Sequence, residues 1–131
     1  MAALASYPSL RDQCVFITGG ATGIGAALVK AFAQQGAKVA FVDVDADSAA
    51  ILIADLEAES LKQLWFQEVD VTDYDALQKT IEKADGALGP LNILINNAAN
   101  DMRQAPSDVT TESWRDCMAI NLDAAFFAAQ A

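Results

Sequence analysis

The most informative absence in this 131-residue sequence is histidine, of which there is none. The chain therefore lacks the commonest metal ligand and the commonest general base near neutral pH, and proton transfer must rely on other groups. Cysteine is scarce as well, and Cys14 and Cys117 lie far apart with no paired spacing. This usage predicts two reduced thiols in a cytoplasmic protein and argues against a disulfide framework. No metal-binding residues are predicted.

Positive charge is also in short supply, since 8 Lys and Arg face 18 Asp and Glu and give a net charge of −10. A surface this acidic repels phosphate backbones and anionic lipid, so we expect neither nucleic acid nor membrane as a partner. Long apolar runs are missing too, and Met1–Pro8 lacks the basic start and apolar stretch of a signal peptide. The 53% hydrophobic content predicts one folded domain over residues 1–131.

What the sequence does contain is an alternation of short apolar runs with longer segments of helical spacing. The predicted strands are Gln13–Thr18, Lys38–Val44, one within Leu61–Val69, and Leu91–Ile95. The predicted helices are Gly23–Gln35, one after Asp45 and Asp47 with Ile51, Leu52 and Leu56 on its inner face, one capped by Thr72 and running to Leu88, and one from Thr110 or Thr111 to Ala131. Strands joined by crossover helices lie parallel. The order predicts an α/β fold, the N-terminal half of a Rossmann-type doubly wound parallel sheet, β-α-β-α-β-α-β-α.

A glycine-rich turn, Thr18-Gly19-Gly20-Ala21-Thr22-Gly23-Ile24-Gly25, separates the first strand from the first helix. Glycines allow a sharp turn and let backbone N–H groups approach a pyrophosphate at the start of a helix. The G-x-G-x-x-G pattern is not met, because Leu28 occupies the third glycine position. Taken alone, the cluster is also compatible with a tight turn that binds nothing.

An acid at the end of the next strand favours a nucleotide site. Asp43 can accept hydrogen bonds from both ribose hydroxyls of an adenosine. Its charge repels a 2′-phosphate, and neither Gly20 nor Val44 supplies a basic side chain that would bind one. The predicted cofactor is therefore NAD rather than NADP. The alternative role for an acid here, capping the following helix, fits Asp45 and Asp47 better.

These residues resemble the cofactor signature of the short-chain dehydrogenase/reductase family, whose glycine spacing accounts for Leu28. The resemblance continues at Asp70-Val71, Asn96-Asn97-Ala98-Ala99, Trp114 and Asn121-Leu122, with Ala99 where the family usually has glycine. It implies that Asp70 meets the adenine and that Asn121, in an apolar helix, is a catalytic member of a proton relay. The predicted cofactor-binding residues are Gly19, Ala21, Thr22, Gly23, Ile24, Gly25, Asp43, Asp70, Val71, Asn97 and Ala98.

The family's remaining catalytic residues are missing from the chain. The resemblance implies a serine and a tyrosine whose pKa is lowered by a lysine four residues later. Here Tyr74 is followed at that spacing by Gln78, and Tyr7 by Arg11. We therefore expect a chain truncated before strand five, inactive alone, with strand four as an open edge. The full-length form is expected to be a homo-oligomer, a dimer or a tetramer.

The substrate is indicated by a finer resemblance. Tyr7–Leu10 and Asn97–Arg103 are similar to bacterial NAD-dependent aldose 1-dehydrogenases, which oxidise the anomeric hydroxyl of a sugar to a lactone. This implies a small alcohol or carbonyl substrate, and a sugar in particular. Alternatives within the family are 3-oxoacyl thioesters and steroids. Two other classes stay open: an NAD-binding module without catalysis, and an S-adenosylmethionine methyltransferase, which does not account for Asn121.

Overall fold

The computed structural model describes residues 5–131, so Met1–Leu4, the first half of the segment tested for a signal peptide, lie outside the described residues. The strands are β1 (Cys14–Thr18), β2 (Lys38–Asp43), β3 (Leu64–Glu68) and β4 (Ile93–Ile95). The helices are α1 (Gly23–Gln34), α2 (Ala46–Ala58), α3 (Tyr74–Leu88), α4 (Thr111–Met118) and α5 (Ala124–Gln130). A π turn (Ala119–Asp123) joins the last two, and short 3-10 turns occupy Pro8–Leu10 and Pro106–Asp108.

The four strands form one parallel sheet in the order β3-β2-β1-β4. Strand β1 is central, and its Ile17 pairs with Phe41 of β2 on one side and with Ile95 of β4 on the other. All five residues of β1 are buried, as expected for a strand covered on both faces. The predicted α/β fold, the N-terminal half of a Rossmann-type sheet, is confirmed.

Each face of the sheet carries its own apolar core, because successive side chains of a strand point to opposite faces. One core packs β1 and β2 against α1 and α2 and contains Val15, Ile17, Val29, Ala33, Val39, Phe41, Ala49 and Leu56. The other packs the sheet against α3 and α5 and contains Phe16, Ala40, Val42, Leu77, Ile81, Ala84, Ala124 and Ala128. Helices thus cover both faces. None of the helices within residues 5–131 is both long enough and apolar enough to span a lipid bilayer.

Two details of the predicted helices are wrong. Helix α3 is capped by Asp73, whose carboxylate accepts a hydrogen bond from the N–H of Ala76, and not by Thr72. Thr72 instead donates through its hydroxyl to Asp70, which removes it from the capping position. In α2, Ile51 is 65% exposed and does not belong to the inner face, because Ala49 and Leu56 occupy it.

The segment predicted as a single last helix is interrupted. Thr110 caps α4 in a capping box with Ser113, which settles the choice between Thr110 and Thr111. The π turn then shifts the hydrogen bonding, and the N–H of Ala124 donates to the carbonyl of Ala119, five residues back. Such single π turns are frequent at functional sites. This one contains Asn121.

Candidate functional site

The carboxyl ends of the four strands open onto one groove of about 610 Å³. The direction in which successive strands are added reverses there. Strands β2 and β3 lie on one side of β1, and β4 lies on the other. Such a switch point is where open α/β sheets bind ligands. The groove is lined by Gly19, Thr22, Gly23, Ile24, Gly25, Asp43, Val44, Val69, Asp70, Val71, Asn97, Ala98, Ala99, Asp101 and Ile120.

The turn between β1 and α1 brings backbone directly against backbone. A Cβ atom at Gly25 would lie 1.7 Å from the carbonyl oxygen of Gly19 and 2.8 Å from Nδ2 of Asn97. A Cβ atom at Gly20 would lie 2.7 Å from the Cβ of Phe41. Both positions therefore exclude side chains, basic ones included.

Helix α1 begins at the groove. Its N-cap is Thr22, in extended conformation, and the Thr22 side chain makes no capping hydrogen bond to any residue of the described chain. No acidic side chain lies in the first turn, which starts at Gly23. The first N–H groups of a helix lack intrahelical partners and carry partial positive charge, so this end favours an anionic group in the groove.

Asp43 closes β2 at the groove and is partly buried. Its Oδ2 accepts a hydrogen bond of 3.0 Å from the N–H of Ala21, and its Oδ1 accepts one of 3.1 Å from the N–H of Asp45. These bonds hold the carboxylate in place while each oxygen retains a lone pair for a further donor. The groove residues, as far as residues 5–131 show them, include no lysine and no arginine.

Asp70 and Val71 follow β3 on the outer side of Asp43. The exposed carboxylate of Asp70 accepts hydrogen bonds from the N–H of Thr72, at 2.9 Å, and from its hydroxyl, at 2.7 Å. Val71 is buried against the core, with only 8% of its surface exposed. The pair presents an acid and an apolar surface side by side.

The loop after β4 is tied to the glycine turn by reciprocal hydrogen bonds. The buried hydroxyl oxygen of Thr18 accepts from the N–H groups of Asn97, at 3.1 Å, and Ala98, at 3.0 Å. In return, Nδ2 of Asn97 donates to the carbonyl oxygens of Thr18, at 3.1 Å, and Gly19, at 2.9 Å. The two sides of the groove are thus held at a fixed spacing.

Asn121 holds the same loop from the other side. Its Oδ1 accepts from the N–H of Asn100 at 2.9 Å, and its Nδ2 donates to the carbonyl of Asn100 at 2.8 Å and to Sγ of Cys117 at 3.2 Å. Asn121 is exposed, although the helical stretch around it is apolar. Its side chain does not line the groove, whereas the preceding Ile120 does.

Tyr74 packs against the core between the sheet and helices α3 and α5, and its environment is unsuited to proton transfer. The hydroxyl donates to a carboxylate oxygen of Asp123 at 3.3 Å, and the ring packs against Phe127 with centroids 4.7 Å apart. Loss of contact with water, together with the negative charge of Asp123, raises the pKa of Tyr74 above its ordinary 10.0. An acid/base tyrosine requires the opposite shift.

Comparison with known proteins identifies this arrangement. Residues 13–131 match the family model for the short chain dehydrogenase. The chain belongs to the short-chain dehydrogenase family. It is 45% identical over 125 residues to a probable galactose dehydrogenase of Rhizobium meliloti, an alignment that covers 95% of this chain and 49% of that protein.

Two further similar proteins are also matched over about half of their length. The chain is 35% identical over 127 residues to the D-xylose 1-dehydrogenase of Caulobacter vibrioides, covering 97% of this chain and 49% of the relative. It superposes with a TM-score of 0.85 and 36% identity on a blue fluorescent protein from a metagenomic library, solved in complex with NADPH, covering 93% of this chain and 50% of that one. The chain spans about half the length of these relatives.

Membership of this family rules out the methyltransferase interpretation. The predicted site residues can now be compared with the groove. The groove brings together all but one of the predicted cofactor-binding residues; Ala21 lies behind Asp43, bonded to its carboxylate. Asn121 lies outside the lining. Residues of the groove that were not predicted are Val44, Val69, Ala99, Asp101 and Ile120. Asp101 could have been found from its loop, which also carries Asn97.

No group of three His, Cys, Asp or Glu side chains suited to a metal ion occurs within residues 5–131. Both cysteines are free, Cys14 in the core and Cys117 partly exposed.

Proposed function

We propose that this chain supplies the NAD-binding half of a short-chain dehydrogenase that oxidises a sugar. The cofactor assignment rests on Asp43. Two backbone N–H groups hold its carboxylate in place at the groove, and the described lining contains no lysine or arginine. The free lone pairs of Asp43 suit the two hydroxyls of an adenosine ribose, and its charge opposes a 2′-phosphate at the same position.

The remaining groove residues fit a dinucleotide in a definite order. Asp70 and Val71 would hold the adenine, and the side-chain-free glycine turn with the start of α1 would hold the pyrophosphate. The loop at Asn97 and Ala98 would then lie beside the nicotinamide. When bound, NAD supplies the hydride acceptor at that end of the groove.

The sugar assignment comes from the relatives, whose printed activities are on galactose and xylose. In such a reaction the anomeric carbon gives up a hydride to nicotinamide and its hydroxyl loses a proton, which leaves a lactone. Asn121 would act in proton transfer, and its side-chain bonds to Asn100 would keep the π turn and the loop together. We expect the chain alone to bind NAD without turning it over, because no Tyr-x-x-x-Lys is present.

Location and assembly are part of the same proposal. Two unpaired cysteines suit the reducing cytoplasm. Helix α4, the π turn and α5 each expose one large apolar side chain, Trp114, Leu122 and Phe126, each at least 54% accessible. Exposed apolar side chains of this kind suit subunit contact in a homo-oligomeric full-length protein.

The cofactor proposal is tested by the ratio of NADP to NAD affinity in Asp43→Ala. Removal of the charge deletes two hydrogen bonds to ribose and the repulsion of a 2′-phosphate, so we expect the preference for NAD to fall by roughly tenfold or more. Calorimetric titration with both dinucleotides measures it.

The matched control is Asp47→Ala, which removes the same charge from an exposed position in the first turn of α2. Its cofactor preference is expected to equal that of the wild type. A preference unchanged in Asp43→Ala would show that NAD is not selected by this carboxylate.

A further inference from the structure

The order of the strands fixes the order of the chemical groups along the groove. From β3 to β4, the groove meets Asp70, then Asp43, then the glycine turn, then the loop of Asn97–Asp101. Neighbouring strands lie about 4.8 Å apart, so three strand spacings separate the two ends by about 14 Å. With the adenosine at β2 and β3, the reacting end of a dinucleotide reaches the loop after β4.

One side chain at that end is unaccounted for. Asp101 lines the groove, and its carboxylate has no hydrogen bond or ion pair with any residue in the range 5–131. Arg103, the nearest cation along the chain, does not line the groove. Asp101 is therefore an acceptor with vacant lone pairs where the substrate must approach.

The backbone around Asp101 is held firmly. The preceding residue, Asn100, is bonded through both its N–H and its carbonyl to the Asn121 side chain. The Oδ1 of Asn100 also accepts from the N–H of Met102 at 3.0 Å, which bends the chain around Asp101. The loop is thus anchored to the π turn at Asn100, and the local turn at Asn100 sets the direction of the chain at Asp101.

We infer that Asp101 is a specificity-determining residue that accepts hydrogen bonds from adjacent hydroxyls of a neutral sugar. This inference rests on the proposed function and deepens it. A carboxylate offers two oxygens to a pair of neighbouring hydroxyl donors, and charge-assisted bonds of this kind are about twice as strong as neutral ones. The same carboxylate repels sugar acids and phosphorylated sugars, and no cation in the described lining offsets that repulsion. The substrate class is thus the uncharged aldose.

The test is amide NMR on the isotopically labelled 131-residue chain saturated with NAD. D-Galactose and D-xylose are titrated in turn, and D-galactonate serves as the charged counterpart. The neutral sugars are expected to shift the amides of Asn100, Asp101 and Met102, and galactonate to bind at least roughly tenfold more weakly. Asp101→Ala should weaken galactose binding by roughly tenfold or more, and Asp101→Asn should narrow the gap between galactose and galactonate.

The matched control is Asp108→Ala, which removes an exposed carboxylate from the same connection outside the groove and should leave sugar binding unchanged. The inference is overturned if saturating sugar leaves residues 100–102 unshifted, if Asp101→Ala binds galactose as the wild type does, or if galactonate binds equally well. NAD itself reports on the proposed function through the amides of Ala21 and Asp45. If those amides do not respond to NAD, the proposed function fails; if they respond and the sugar effects are absent, only the role of Asp101 fails.

Discussion

Gly25, in the first turn of α1, lies directly against the backbone of Gly19. The space that a Cβ atom would need there is taken by the carbonyl of Gly19 and the amide of Asn97. That amide belongs to the bonds that connect the two sides of the groove. A side chain at position 25 therefore disturbs the loop after β4 as well as the turn itself.

The substitution Gly25→Ala is expected to destabilise the chain by about 1–3 kcal/mol and to abolish NAD binding, because overpacking forces the backbone to shift. Gly86→Ala is the matched control. Nothing lies within 4 Å of its added Cβ in α3, so it should stabilise the chain by about 0.4–1 kcal/mol. Urea denaturation and NAD titration measure both effects, and a Gly25→Ala variant that binds NAD normally would contradict the account.

Some residues of the site could be predicted from the sequence and others could not, for a physical reason. Asp43 and the glycines could be predicted because their positions relative to a strand and a helix are fixed by the local sequence. The loop that Asp101 shares with Asn97 points toward it, but Asp101 was not predicted as a site residue, because its place in the groove depends on β4 lying beside β1, a contact between residues far apart in sequence. Ile120 reaches the groove only through the fold of the π turn.

Among the elements, α3 shows how one residue decides where a helix begins. Asp73 caps it through the N–H of Ala76, whereas Thr72 bonds back to Asp70. We expect Asp73→Ala to lower the free energy of unfolding by about 1 kcal/mol, as is usual for loss of a cap. Thr72→Ala should cost less, and chemical denaturation compares the two. A larger loss of unfolding free energy for Thr72→Ala than for Asp73→Ala would indicate that Thr72 caps the helix.

The N-cap of α2 gives a pH dependence with a definite sign. Hydrogen bonds from the hydroxyl and the N–H of Ser48 lower the pKa of Asp45 below its ordinary 3.8. Because the folded pKa is depressed, the stabilisation is complete above about pH 3.8 and is lost as the pH falls through the lower folded value.

Asp45→Asn isolates this contribution, since asparagine keeps a capping oxygen but carries no titrating charge. The difference in unfolding free energy between wild type and variant should be constant from pH 7 to pH 5 and shrink below about pH 3.8. Urea denaturation measures this difference. The protein concentration is kept in the micromolar range, because the chain approaches neutrality at its isoelectric point of about 4.1 and self-association is then favoured. A difference that stays constant at every pH would refute the assignment.

The strands and most helices follow from the sequence because their apolar periodicity and caps are local. The predicted strand Leu91–Ile95 is shorter in the structure, Ile93–Ile95, where three residues pair with β1. The π turn could not be predicted, since Asn121 bonds to a loop that precedes it by two elements. Tertiary contact, rather than propensity, decides that segment.

In the molecule as a whole, different helices cover the two faces of the sheet, and within residues 5–131 β3 and β4 form its two edges. Both faces carry helices, whereas β4 has a strand neighbour only on its β1 side among the described residues. Beside β4 lies a cavity of about 470 Å³, whose lining includes residues of β4, α3 and α5 and none of the glycine turn. An open apolar strand edge invites pairing with further polypeptide.

The charge of the molecule also favours the proposed cofactor, NAD, over NADP. The net charge is −10, and three groove carboxylates, Asp43, Asp70 and Asp101, contribute to it. A second phosphate on the ribose enters this field at a higher cost than the pyrophosphate, which the start of α1 stabilises locally. Salt shortens the range of such repulsion.

Selection of NAD by Asp43 can be measured without any substitution, by parallel calorimetric titration of the unmodified chain with NAD and with NADP. At low salt, NAD should bind more tightly than NADP by on the order of tenfold, and the difference should narrow as the salt concentration rises. Equal or tighter binding of NADP, or no binding of either dinucleotide, would contradict the account.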